Sequence, residues 1–142
     1  MSQQQNYDVV IIGAGMSGMY QLYLLRNLGF SVRVFETGTD IGGTWYWNRY
    51  PGARFDSESY SYGYSFSKEV LDEWEWSEHF SAQPETLQYL NYIADKFDIR
   101  KDIQFGARVV GAVFQEEENN WNITLQDGCQ AIAQFIITAV GP

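Results

Sequence analysis

The chain has 142 residues, 45% of them hydrophobic, which is one domain's worth of sequence and long enough to bury a core. Its formal net charge of −9 and pI near 4.4 speak against nucleic acid or an anionic membrane as a partner. The single cysteine, Cys129, excludes an internal disulfide and a cysteine-built metal site, and fits a reducing, cytoplasmic setting.

Met1 to Asn6 carries no signal-peptide pattern, and no apolar run approaches membrane-spanning length. The first element is Tyr7 to Ile12, where the continuous apolar run Val9 to Ile12 suits a strand buried on both faces of a parallel sheet. Gly13, Gly15 and Gly18 then complete G-x-G-x-x-G, with Met16 and Ser17 between the last two. Alone this spacing marks many ordinary turns. Here it follows a strand, opens a helix, and is answered by Glu36 at the end of the next apolar run, Ser31 to Phe35.

Each of these positions has a physical task. Gly13 permits the tight turn, Gly15 leaves room for a pyrophosphate against the backbone, and Gly18 lets helix and strand pack closely. The free N–H groups and positive end of the helix face the phosphates. Glu36 can accept from a ribose 2′-hydroxyl, whereas a 2′-phosphate would meet its negative charge. The site should therefore take FAD or NAD rather than NADP. The helix is predicted over Gly15 to Leu28, apolar on two sides and so largely buried, with Gly29 as its C-terminal cap.

Residues 37–56 form a long segment crowded with glycines and large aromatics, which points to function rather than connection. Gly42-Gly43 offers a second close backbone approach. Aromatic residues make up 17% of the chain and concentrate between Trp45 and Trp76. Tyr60, Tyr62, Tyr64 and Phe66 alternate with small residues, predicting an extended segment with one aromatic face, most of whose rings serve core packing. His79, the only histidine, has no partner cluster and reads as a surface or structural residue. The acidic runs Glu69 to Glu85 and Glu116 to Glu118 read as solvated faces.

Pro84 and Glu85 open a second helix, with Leu87, Leu90, Ile93, Ala94 and Phe97 on one face. Ile103 to Phe105 is a short strand. Val109 to Gln115, Trp121 to Leu125 and Gln130 to Phe135 are predicted as an antiparallel meander, with turns at Asn119-Asn120 and Asp127-Gly128. Phe135 to Gly141 reads as a return to a buried parallel strand. The fold class is thus α/β, a Rossmann-type parallel sheet with an inserted three-stranded β-meander.

Gly42-Gly43-Thr44-Trp45-Tyr46-Trp47-Asn48-Arg49-Tyr50-Pro51-Gly52-Ala53-Arg54 resembles the flavin-contacting loop of Baeyer–Villiger monooxygenases, the class B flavoprotein monooxygenases. Tyr64-Ser65-Phe66-Ser67, Trp74-Glu75-Trp76 and Gln83-Pro84-Glu85 continue the likeness. The resemblance implies NADPH- and O2-dependent conversion of ketones to esters or lactones through a C4a-peroxyflavin. It implies that Gly13, Gly15, Ser17 and Glu36 hold the adenosine diphosphate half of FAD, and that Gly43, Thr44, Trp45 and Trp47 line the route to the flavin. Asp56 and Tyr62 then sit near the flavin ring, Arg54 and Asp56 face the nicotinamide, and Val109 meets the adenine through its backbone. Asp56 carries the catalytic role, pairing with an arginine elsewhere in the family.

Family members are much longer. Residues 1–142 are accordingly expected to be the N-terminal part of an FAD-binding domain, without the NADPH domain or the rest of the FAD domain. Such a fragment should be inactive, and with Trp45 and Trp47 exposed and a sheet edge open it should associate with itself or another chain. Two other readings are an N- or S-oxygenating flavin monooxygenase and a non-catalytic dinucleotide-binding module.

Overall fold

The computed structural model describes residues 4–142; Met1 to Gln3, the start of the stretch without a signal-peptide pattern, lie outside them. One six-stranded sheet runs through the protein in the order β3-β2-β1-β6-β5-β4. β1 (Gln5–Ile12), β2 (Val32–Phe35), β3 (Ile103–Gln104) and β6 (Gln130–Thr138) are parallel neighbours. β4 (Val109–Gln115) and β5 (Asn120–Leu125) continue the sheet antiparallel. β1 is central, so its Val10 and Ile11 are fully buried, as the unbroken apolar run requires.

Two helices cover one face. α1 (Met16–Asn27) joins β1 to β2, and α5 (Gln83–Lys96) precedes β3. Val9, Ile11 and Val34 pack there with Met19, Leu22, Leu90 and Ile93. A second cluster joins Val10 and Phe35 to Ile123, Leu125, Ala131 and Ala133, so the meander residues close over the other side of β1 and β2. α1 ends as expected. Gly29 has φ +92° and its N–H reaches the Arg26 carbonyl, while the Phe30 N–H reaches that of Leu25.

Three expectations change. First, the meander's last strand and the returning parallel strand are one element: β6 pairs Tyr7 with Ala133 in parallel while Trp121 faces the same Ala133 antiparallel. The β6 backbone pairs along both of its edges, so a single strand lies between β1 and β5. Second, α1 buries one stripe rather than two, since Leu24 is 38% and Leu28 65% exposed. Sheet contact reaches only one side of a helix lying on its face.

Third, the aromatic alternation is not extended. Ser59–Tyr62 forms a helical turn, α3, in which the Ser61 and Tyr62 N–H groups bond the Glu58 carbonyl. The chain bends at Gly63, and Ser67 caps α4 (Lys68–Glu73), its hydroxyl accepting from the Val70 N–H. The segment pairs with no strand; its rings pack instead on the two helices, Tyr64 and Phe66 against Tyr20 and Tyr64 against Tyr89. The rings still pack on the core, where Tyr62 and Tyr64 lie against it. The predicted irregular loop also contains a helical turn, α2 (Thr44–Trp47).

Leu22 is fully buried between α1 and the sheet. Leu22→Ala should therefore cost about 2–5 kcal/mol in urea unfolding, against about 0.5 kcal/mol or less for Leu28→Ala on the exposed side.

Candidate functional site

The fingerprint glycines pack against one another and meet two other backbone segments. Gly13 has φ +105°, and a Cβ there would stand 2.4 Å from the Ala139 carbonyl oxygen at the end of β6. A Cβ on Gly18 would fall 1.9 Å from the Gly13 oxygen, so only glycine allows α1 to start this close to β1. The second glycine pair closes on the first. A Cβ on Gly43, at φ +53°, would come 2.7 Å from the Gly15 Cα, and the Gly42 N–H donates to the Ala14 carbonyl at 3.0 Å. The approach foreseen at Gly42-Gly43 is thus backbone against backbone.

Glu36 lies opposite this turn, only 7% exposed. Its Oε2 accepts from the Ala14 N–H and its Oε1 from the Gly38 N–H, both at 2.7 Å. The carboxylate therefore ties the end of β2 to the glycine turn, and each oxygen keeps a second acceptor lone pair for a ligand hydroxyl. The Ala107 N–H donates to the Glu36 carbonyl and Gly106 to that of Gly38, which brings the start of β4, with Val109, beside the same corner.

α1 has Gly15 as its N-cap residue and no side-chain cap. The N–H groups of Met16, Ser17 and Gly18 in its first turn have no partner within the helix. Ser17 is exposed beside them. Free donors, a positive helix end and a surface without Cβ atoms form an anion-binding cradle. It is open rather than a closed cavity. Hollows of about 380 Å³ around Asp8 and Asn120 and about 240 Å³ around Cys129 lie elsewhere on the sheet.

The aromatic loop is only partly as expected. Trp45 is 6% exposed, so the predicted exposure of this ring is wrong. Its indole N–H donates to the Tyr62 hydroxyl at 2.8 Å, and Phe55 stacks on Tyr62 with ring centroids 4.1 Å apart. Burial first, and to a lesser extent the Asp56 carboxylate, raise the Tyr62 phenol above its ordinary pKa, with the Trp45 bond opposing. Trp47 does face solvent, 59% exposed, beside Tyr46. Thr44 begins α2 directly after Gly43. Arg54 and Asp56 are both exposed; the guanidinium of Arg54 bonds Glu78 at 3.0 Å and the Phe80 carbonyl at 2.9 Å.

Ser59, Ser77 and Ser81, which sequence reading passed over, hold this loop together with Gln83 and Glu85 from the start of α5. Ser59, 3% exposed, donates its hydroxyl to the Glu78 carbonyl and accepts from the Ser81 N–H. The Gln83 amide donates to the Trp45 carbonyl, and its backbone N–H to that of Ala53. Glu85 accepts from the Ser77 N–H and from the hydroxyls of Ser77 and Ser81. An isolated buried serine leaves no periodic signal. The capping tendency of Pro84-Glu85 was the one local cue.

Comparison with known proteins places this arrangement. The family described as NAD(P)-binding Rossmann-like domain matches residues 11–73. The 2-oxo-Δ3-4,5,5-trimethylcyclopentenylacetyl-CoA monooxygenase of Pseudomonas putida is 49% identical over 95% of this chain and 25% of its own length. The methyl acetate-forming acetone monooxygenase of Gordonia sp. (strain TY-5) is 47% identical over 94% of this chain and 25% of its own. A Baeyer–Villiger monooxygenase of Pseudooceanicola batsensis is 43% identical over 96% of this chain and 25% of its own length. The chain is thus homologous to one segment of the Baeyer–Villiger monooxygenases. It spans about a quarter of the length of these curated relatives. The solved structure of OTEMO in complex with FAD and NADP superposes with a TM-score of 0.92 at 48% identity, over 96% of this chain and 26% of that one. The Baeyer–Villiger likeness thus extends from sequence to the backbone of this Rossmann-type sheet. Among the described residues no helix is long and apolar enough to cross a membrane, and no His, Cys, Asp and Glu side chains cluster as a metal site.

The Glu85 carboxylate gives a test by pH. Burial pushes its pKa up, but bonds from the Ser77 N–H and the hydroxyls of Ser81 and Ser77 outweigh it, leaving the group below its ordinary 4.5. A depressed carboxylate contributes stability that is present above its unfolded value and lost as pH falls through the folded one. The wild-type melting temperature should drop on acidification below about pH 4.5. Glu85→Gln should melt lower at pH 7 and change less between pH 5 and 3, as scanning fluorimetry would read.

Proposed function

We propose that this chain is the FAD-binding segment of an NADPH- and O2-dependent Baeyer–Villiger monooxygenase acting on ketones. The observation that carries the reading is the glycine cradle at the start of α1, with Glu36 across from its turn and Gly43 packed on Gly15. The cradle fits a dinucleotide by three criteria: backbone donors, missing Cβ atoms, and a carboxylate with spare acceptor capacity. Likeness to an acetone monooxygenase, and to OTEMO solved with FAD and NADP, supports FAD and a ketone substrate.

In this reading the N–H groups of Met16, Ser17 and Gly18 would hold the pyrophosphate, with Gly13 and Gly15 giving it access. Glu36 would take the adenosine ribose, and the Val109 backbone the adenine. Gly43, Thr44, Trp45 and Trp47 would lead toward the flavin, and Tyr62 would lie beside it. When bound, the flavin supplies the redox and oxygen-transfer chemistry; the chain supplies binding, orientation and a dry aromatic flank. Buried Trp45, held by Tyr62 and Gln83, keeps water from that flank. Exposed Arg54 and Asp56 would face NADPH and a catalytic arginine supplied from outside residues 1–142. The NADPH domain and the remainder of the FAD domain would lie there too. Self-association of the isolated chain belongs to the same reading, supported by exposed Trp47 and by Val110, Val113 and Phe114 on outer strand β4.

The cradle is tested by titration. The protein should bind ADP more tightly than adenosine 2′,5′-bisphosphate, because Glu36 repels a 2′-phosphate. Glu36→Ala should weaken FAD binding by about 1–3 kcal/mol; equal affinity would remove Glu36 from the site. For Asp56, the Ala substitution in a protein complete with the NADPH domain should leave FAD bound and strongly reduce ester formation. Unimpaired ester formation would end the catalytic assignment.

A further inference from the structure

The aromatic segment after α3 reaches the cradle through a single hydroxyl. The Tyr64 phenol donates to the carbonyl of Met16, 48 residues earlier, the first residue of α1. That carbonyl already accepts the helical bond from the Tyr20 N–H, so Tyr64 uses its second lone pair. The Met16 carbonyl and the Ser17 N–H belong to one planar peptide unit. Fixing the direction of the carbonyl fixes the opposed N–H, which points out of the helix end toward the cradle. Withdrawing charge from the same peptide also makes its N–H a better donor.

We propose that Tyr64 is a positioning residue for phosphate binding, acting through the Met16–Ser17 peptide. The proposal rests on the dinucleotide reading above. Tyr64 is itself fixed. Its backbone N–H donates to the Tyr89 hydroxyl at 2.7 Å, Tyr89 is 1% exposed, and the Phe66 ring lies edge-on at 5.3 Å. Burial, with smaller contributions from Tyr89 and Tyr62, lifts the Tyr64 phenol well above its ordinary pKa. The donor therefore keeps its proton at any working pH. The competing account is plain core packing of an aromatic ring against α1. The two accounts differ in what the hydroxyl alone does.

Tyr64→Phe keeps the ring and removes the donor. In calorimetric titrations well below the melting temperature, ADP and FAD should bind the variant about three- to tenfold more weakly, the factor expected for one hydrogen bond. Adenosine, which has no phosphates, should bind both proteins alike. Unchanged ADP affinity overturns the proposal, and so does an equal loss for adenosine, which would mark a general structural effect. A measurement on the wild type does not depend on the variant folding: on ADP addition the Ser17 amide should shift in 1H–15N spectra, and a stationary Ser17 signal also overturns the proposal. Failure of the wild type to bind either ADP or FAD would instead reject the dinucleotide reading, and the proposal with it.

Discussion

Three backbone segments meet where no Cβ fits, and the geometry around the cradle depends on that contact. Gly13 lies against the Ala139 carbonyl, Gly18 against the Gly13 carbonyl, and Gly43 against Gly15. Each approach is closer than a side-chain carbon tolerates. Together they bring the end of β1, the start of α1, the end of β6 and the aromatic loop to one point. Packing this close leaves the first-turn N–H groups of α1 at an open surface rather than beneath side chains. A Cβ at Gly18, 1.9 Å from a carbonyl oxygen, would have to push α1 off the sheet.

Glu36 is the electrostatic counterpart of that steric constraint. Its two bonds to backbone N–H groups at 2.7 Å satisfy donors in a tight turn that would otherwise be buried unpaired. The residue is therefore structural and ligand-facing at once. Holding the carboxylate by both oxygens before any ligand arrives removes rotamer freedom that binding would otherwise have to restrict.

The far side of the site hangs from the start of α5. Gln83, Ser81 and Glu85 hold the loop at Trp45, Ala53, Ser59 and Ser77 by charged and neutral hydrogen bonds rather than by regular structure. Aromatic packing fills the space between, with Phe55 stacked on Tyr62 and Trp45 edge-on to both. A long irregular segment is rigid here because most of its buried polar groups have partners. Exposed Arg54, Asp56 and Trp47 project from a fixed base.

The parallel strands, the helix they flank, its glycine cap and the fingerprint turn were legible from the amino-acid order, because each depends on a period or a backbone conformation within a short window. Gly29 needs a positive φ, and Val9 to Ile12 needs burial on two faces, whatever the rest of the chain does. Glu36 was legible for the same reason, as the residue ending the second strand. The alternation from Tyr60 to Phe66 misled because its rings are used in packing on α1 and α5, Tyr64 and Phe66 against Tyr20 and Tyr64 against Tyr89, with a helical turn in place of a strand. The burial of Trp45, the single strand β6 and the tie between Tyr64 and Met16 were decided by tertiary structure alone. Tyr64 and Met16 are 48 residues apart, and no local pattern specifies which of many hydroxyls a folded path will bring to one carbonyl.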